Sequence, residues 1–158
     1  MRSDVLRTTA VLLLSLLPLL CHLVPFLKNG QFSAYEDAYF FGLPRFVFAS
    51  DSYRRGDTLQ WLPTSGCGIS LYGEGAGGMM LPTTQLFCRL FNGSFAYFLD
   101  VIAAQLTAFT GVFLLLRNRN STIAISLVAA SIYAFSPMGL AIRTSMIWVY
   151  AAFPLLIA

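Results

Sequence analysis

The run that decides the fold is Phe95-Ala-Tyr-Phe-Leu-Asp100-Val-Ile-Ala-Ala-Gln105-Leu-Thr-Ala-Phe-Thr-Gly-Val-Phe-Leu-Leu-Leu116. It is apolar throughout except at Asp100 and Gln105, and Arg117 closes it. About 20 helical residues cross the hydrocarbon core of a bilayer, so this run suffices for one crossing. A carboxylate inside such a span costs about 2.5–3.5 kcal/mol on insertion scales. Asp100 therefore either faces protein or water within the membrane, or sits near the start of the helix, where the dipole favours an anion.

Working outward, the rest of the chain reads the same way. Of 158 residues, 57% are hydrophobic and only 11% charged, with a mean hydropathy of +0.70. A soluble domain carries about 25% charged residues, so an all-α polytopic membrane protein is expected. The net charge of +3 is small and its basic residues are scattered. A nucleic-acid footprint needs a basic stripe or face, and none is legible.

Ala10 to Leu27 is a second apolar run, preceded by Arg2 and Arg7 and bent in expectation at Pro18 and Pro25. With no small-x-small site after it, it reads as an uncleaved anchor rather than a signal peptide. His22, inside this run, is the only histidine, so no Cys/His metal spacing exists. A third span is expected over Ile123 to Ile142, rich in small residues that let helices approach closely and broken early at Ser136-Pro137. A fourth begins near Met146. The apolar stretch Trp148 to Ala158 has no polar flank, and a helix ending in mid-bilayer leaves carbonyls unsatisfied. The sequence is therefore expected to be the N-terminal piece of a longer chain.

These spans divide the chain into an anchor (residues 1–28), a polar interval (29–94) and a second membrane block (95–158). Arg117 and Arg119 lie in the short connection after the central span, and Arg2 and Arg7 precede the first. Both sets fall on one side, which the positive-inside rule makes cytoplasmic. The expected location is the cytoplasmic membrane, multi-pass, with the N-terminus inside and the polar interval outside.

The interval holds the candidate chemistry. Residues 34–49 carry Tyr35, Tyr39, Phe40, Phe41, Phe46 and Phe48, a composition suited to the headgroup region. Glu36 and Asp37 would then lie at the lipid–water boundary, either as a solvated acidic pair or as carboxylates working on a lipid-linked substrate. Arg54 and Arg55 follow; adjacent guanidinium groups suit phosphate oxygens and equally suit plain lipid headgroups. The glycine-dense stretch from Gly66 to Gly78 leads into Met79-Met80. A phosphate-gripping loop needs Gly-Lys-Ser/Thr there, so these glycines are read as turn and close-approach positions. Cys67 and Cys88 share the interval and are either two free thiols or a bridge, a choice that geometry decides.

The order of these features resembles the N-terminal part of the YfhO-like bacterial membrane proteins, of the GT-C glycosyltransferase type. Asp37-Ala38-Tyr39 with Pro44 fits that family's Asp-x-Tyr and its proline seven residues on. Arg54-Arg55-Gly56, Trp61 and Gly66-Cys67-Gly68 follow its basic-Gly, Trp and Gly-x-Gly order. Leu114-Leu115-Leu116-Arg117, Tyr133-Ala134-Phe135-Ser136, Trp148 and Pro154-Leu155-Leu156 continue it. Two positions depart from it: Phe41 stands where a Gln is common, and Tyr150 where an acid often follows the later Trp.

The resemblance implies GT-C-like transmembrane helices with a long first extracytoplasmic loop. It also implies transfer of a sugar from a polyprenyl-phosphate-linked donor to a cell-envelope acceptor on the outer face. By position Asp37 is then the general base and Glu36 its fallback. Arg54 or Arg55 would balance the leaving phosphate, and Trp61 joins them as a substrate-binding candidate. The lipid bilayer is the expected surrounding, no cofactor is assigned, and no metal ligand is named. The alternative is a non-catalytic transport or envelope-assembly component, which would account for the two departures.

Overall fold

The computed structural model describes residues 24, 42–57, 61–62, 68–70, 79, 81–135 and 147–158. Among them are five helices: α1 (Leu43–Arg55), α2 (Pro82–Leu90), α3 (Gly93–Asn118), α4 (Ile123–Phe135) and α5 (Ile147–Ile157). One short antiparallel ladder, β1 (Trp61–Leu62) with β2 (Ile69–Ser70), sets Trp61 opposite Ser70. The described chain is thus mostly helical, with a scrap of sheet that the all-α expectation omitted. Of these helices only α3 is long and apolar enough to cross a membrane. The first expected span falls on residues outside the described set, apart from Val24. α4 covers the first 13 residues of the third expected span, and the remainder of that span, residues 136–142, lies outside the described residues.

Local chemistry fixes the helix ends. Asn92 caps α3: its side-chain Oδ1 accepts from the Phe95 amide at 2.9 Å and its carbonyl from Ala96 at 2.8 Å. α1 stops at Gly56, whose φ of +77° is left-handed. The Gly56 amide then donates to the Tyr53 carbonyl (3.2 Å) and the Asp57 amide to Ser52 (2.9 Å), a paired closure that satisfies two orphan carbonyls. Asn120, at φ +60°, closes α3 in the same way, with Asn120 bonded to Arg117 and Ser121 to Leu116. Thr122 then accepts from the Ile125 amide at 3.4 Å and starts α4. The polar run Arg117 to Thr122 is the tight connection its composition suggested.

The chain divides into two compact units. The first comprises residues 34–103 and 142–148; α3 belongs to it as far as Ala103. Here α1 packs on α2, and α3 crosses α1 so closely that a Cβ on Gly93 would collide with the Val47 backbone. Phe46 is buried and meets Tyr97 edge-on, ring centroids 5.1 Å apart. That corrects one expectation: Phe46 is a core residue of this unit, not an aromatic laid on the membrane surface. Phe48, on the same helix, is half-buried, and the other expected surface aromatics Tyr35, Tyr39, Phe40 and Phe41 lie outside the described residues.

The second unit takes α3 from Ala104, with α4 and the body of α5. A Cβ on Gly111 would come within 2.7 Å of the Leu155 backbone nitrogen, so glycine sets how closely α3 and α5 approach. Tyr133 and Tyr150 stack with rings 4.3 Å apart, and each hydroxyl donates to the other's backbone carbonyl (3.1 and 2.7 Å).

Phe46, Tyr97, Phe98 and Val101 are buried in the first unit, but on some helix faces small or polar residues are buried and bulky apolar ones exposed, the reverse of the usual amphipathic pattern. In α2 the buried side chains are Thr84 and Cys88, while Leu86 and Leu90 are exposed. In α4, Ser126, Ala130 and Ala134 are buried with Leu127, whereas Ile125, Val128 and Ile132 face outward. Along α3, Asp100 and Gln105 are buried with Ala96, Ala104 and Ala108, and Leu106 and Leu114 are exposed.

Candidate functional site

The polar groups of the first unit separate into a buried cluster and an exposed one. The buried cluster forms where three helices meet. Thr84 and Cys88, one turn apart, share a face of α2. The Thr84 hydroxyl donates to Asp100 Oδ1 of α3 at 2.6 Å, with Thr84 fully buried and Asp100 only 4% exposed. Ser50 of α1 is also fully buried, and no hydrogen bond of good geometry reaches its Oγ.

Cys88 is a free, buried thiol, and Cys67 lies outside the described residues. Burial pushes its pKa from the ordinary 9.0 up to about 12; the nearby Ser50 hydroxyl offsets part of the rise, and the Asp100 charge adds a smaller increment to it. Such a thiol stays protonated at neutral pH and is a poor nucleophile or metal ligand. Thr84 occupies Asp100 Oδ1. The cluster joins three helices.

Asp100 resolves an alternative left open by the sequence. It is the eighth residue of α3, beyond the first turn in which the helix dipole acts. It is buried and faces protein. Gln105 is also buried, and its Nε2 finds no hydrogen-bond partner.

The exposed cluster is cationic. Arg54 and Arg55 end α1, where the last turn's carbonyls favour a positive charge. Arg55 Nε donates to Asp57 Oδ2 at 2.8 Å, both side chains more than half exposed. That pair is solvent-screened and worth little to stability. Arg89, exposed near the end of α2, lays its guanidinium over the Tyr53 ring, 4.9 Å from the centroid. The composition reading missed this third arginine because it stands alone in sequence; the fold brings it beside the α1 terminus.

Trp61 lies on β1, 54% exposed, with its indole so close over Gly68 that any Cβ there would strike the ring. Gly68 has φ +101°, which only glycine adopts without strain. Asp37 and Glu36 lie outside the described residues. Among the described residues no three His, Cys, Asp or Glu side chains gather as a metal site.

No family model, no curated protein and no solved structure matches the chain.

Proposed function

We propose that this chain is part of a polytopic membrane protein that moves a sugar from a polyprenyl-phosphate-linked donor to an envelope acceptor on the outer face of the cytoplasmic membrane. The observation that carries the membrane half is the reversed burial of α2 and α4, beside the length and apolarity of α3. Small and polar side chains turned inward and bulky apolar ones outward suit a surrounding of lipid. The exposed arginines Arg54, Arg55 and Arg89 support an anionic, phosphate-bearing substrate. The assignment of Asp37 as base, with Glu36 as fallback, rests on the YfhO-like spacing.

Asp37→Asn in the full-length protein is the test. The expected result is loss of glycosylated envelope product at unchanged protein level. Unchanged product would remove the catalytic role of Asp37.

One observation favours the second reading, a non-catalytic envelope or transport component. At the position where the resembled family often has an acid, the Tyr150 hydroxyl is bonded to the Tyr133 carbonyl at 2.7 Å. That side chain ties α4 to α5 and presents no carboxylate.

A further inference from the structure

α2 is turned inside out. At about 100° per residue, Thr84 and Cys88 lie together on one side of the helix, and Leu86 and Leu90 lie on the opposite side. The polar pair is buried and the leucines are 52% and 64% exposed. Water does not favour that arrangement, since burying two leucines is worth several times more than burying a threonine and a thiol. Arg89 is exposed between the two sides, held over Tyr53, with Arg54 and Arg55 in the same unit. Two residues, Phe91 and Asn92, separate α2 from the first residue of α3, the one described helix able to cross a membrane.

We infer that α2 lies in the membrane interface beside the entry point of α3. Its Leu86 and Leu90 dip into the acyl boundary, and Arg89 engages the headgroup phosphate of an anionic phospholipid. Three features commit the face to lipid. A helix joined by two residues to a spanning segment is held at the bilayer surface by the chain itself. The exposed leucines match the apolar boundary, as in interfacial helices. Exposed guanidinium groups beside them complement an anionic leaflet. Tyr53 restrains the Arg89 side chain, so less rotamer freedom is lost on binding phosphate than for an unsupported arginine.

The test uses the full chain in vesicles of equal phosphatidylglycerol and phosphatidylethanolamine, with Leu86 or Leu90 replaced by the photo-crosslinker p-benzoylphenylalanine. Phospholipid adducts are expected at both positions, with phosphatidylglycerol enriched about fivefold, the worth of one cation near an anionic surface. Arg89→Gln should return the adducts to the bulk lipid ratio, and Arg89→Lys should keep most of the enrichment. Protection of Cys88 from maleimide in each variant shows that α2 remains docked. Adducts to polypeptide alone, from a second copy or another protein, would overturn the inference, as would no adduct at either leucine. A lipid ratio indifferent to Arg89→Gln would remove the headgroup contact. The inference rests on the membrane half of the proposed function and not on Asp37: loss of the lipid adducts would leave the Asp37→Asn result standing, and an inactive Asp37 assignment would leave the adducts unchanged.

Discussion

Removing the Thr84 hydroxyl tests whether the buried cluster holds the first unit together. Thr84→Val replaces an oxygen by a methyl of similar size, so packing is kept and only the donor is lost. Asp100 Oδ1, in a site 4% exposed, then loses a partner at 2.6 Å. A hydrogen bond to a neutral acceptor is worth about 0.5–1.5 kcal/mol net and one to a charged acceptor about 1.5–3 kcal/mol. The expected cost is therefore about 1–3 kcal/mol, roughly a 5- to 150-fold fall in the folded-to-unfolded ratio. Reversible unfolding of the full chain in mixed micelles measures it. Asp100→Ala should cost at least as much, and the double variant should show a coupling of the same size and opposite sign. Asp100→Asn, which keeps a carbonyl acceptor, should retain part of the bond. Maleimide labelling of Cys88, one turn from Thr84, supplies a local readout and should accelerate with the loss of stability. If the two single costs add to within about 0.5 kcal/mol, the residues are not coupled and the cluster reading fails.

Cys88 should resist maleimide in the folded chain at pH 8 and react once the chain unfolds. Its thiol pKa is raised from 9.0 to about 12, so the folded state holds a proton that the unfolded state releases. Its contribution to stability is then full below pH 9 and lost as pH climbs toward 12, and Cys88→Ala should flatten that part of the profile. Gly93→Leu puts a side chain into the Val47 backbone and should destabilise by about 1–3 kcal/mol, occasionally more, read as a lower melting temperature in detergent. Tyr150→Phe removes the 2.7 Å bond to the Tyr133 carbonyl but keeps the ring stack. It should cost about 0.5–1.5 kcal/mol; no change would mean that stacking alone holds the tyrosines.

What the sequence made legible was whatever depends on local composition. The central span was expected over Phe95 to Leu116, and α3 runs from Gly93 to Asn118. The extra turn fraction at its start comes from Asn92, a strong N-cap residue, and from Gly93, whose missing side chain lets the helix begin against α1. Both signals stand in the sequence, but an Asn-Gly pair equally marks a turn. The environment of Asp100 was not legible, because a helix sequence does not state which neighbour covers each face. The same applies to Arg89, which joins the α1 arginines only through Tyr53, and to Phe46, whose burial depends on Tyr97 of another helix. The ladder of Trp61 and Leu62 with Ile69 and Ser70 has two residues per strand, too few to establish a period.

Of the candidate substrate residues named from sequence, Arg54 and Arg55 close α1 and Trp61 lies on β1, all in the first unit. Arg55 is already bonded to Asp57, so its charge is partly answered, whereas Arg54 makes no ion pair among the described residues. A lipid-linked phosphate approaching from the membrane would therefore gain more from Arg54 than from Arg55, an order that adjacency in sequence does not reveal. The α2 face gives the approach a physical basis. If Leu86 and Leu90 sit in the acyl boundary, Arg89 stands at headgroup depth, and its contact with Tyr53 ties that depth to the end of α1. Under the proposed function, the cations would then stand at the depth of a lipid-linked donor's phosphate.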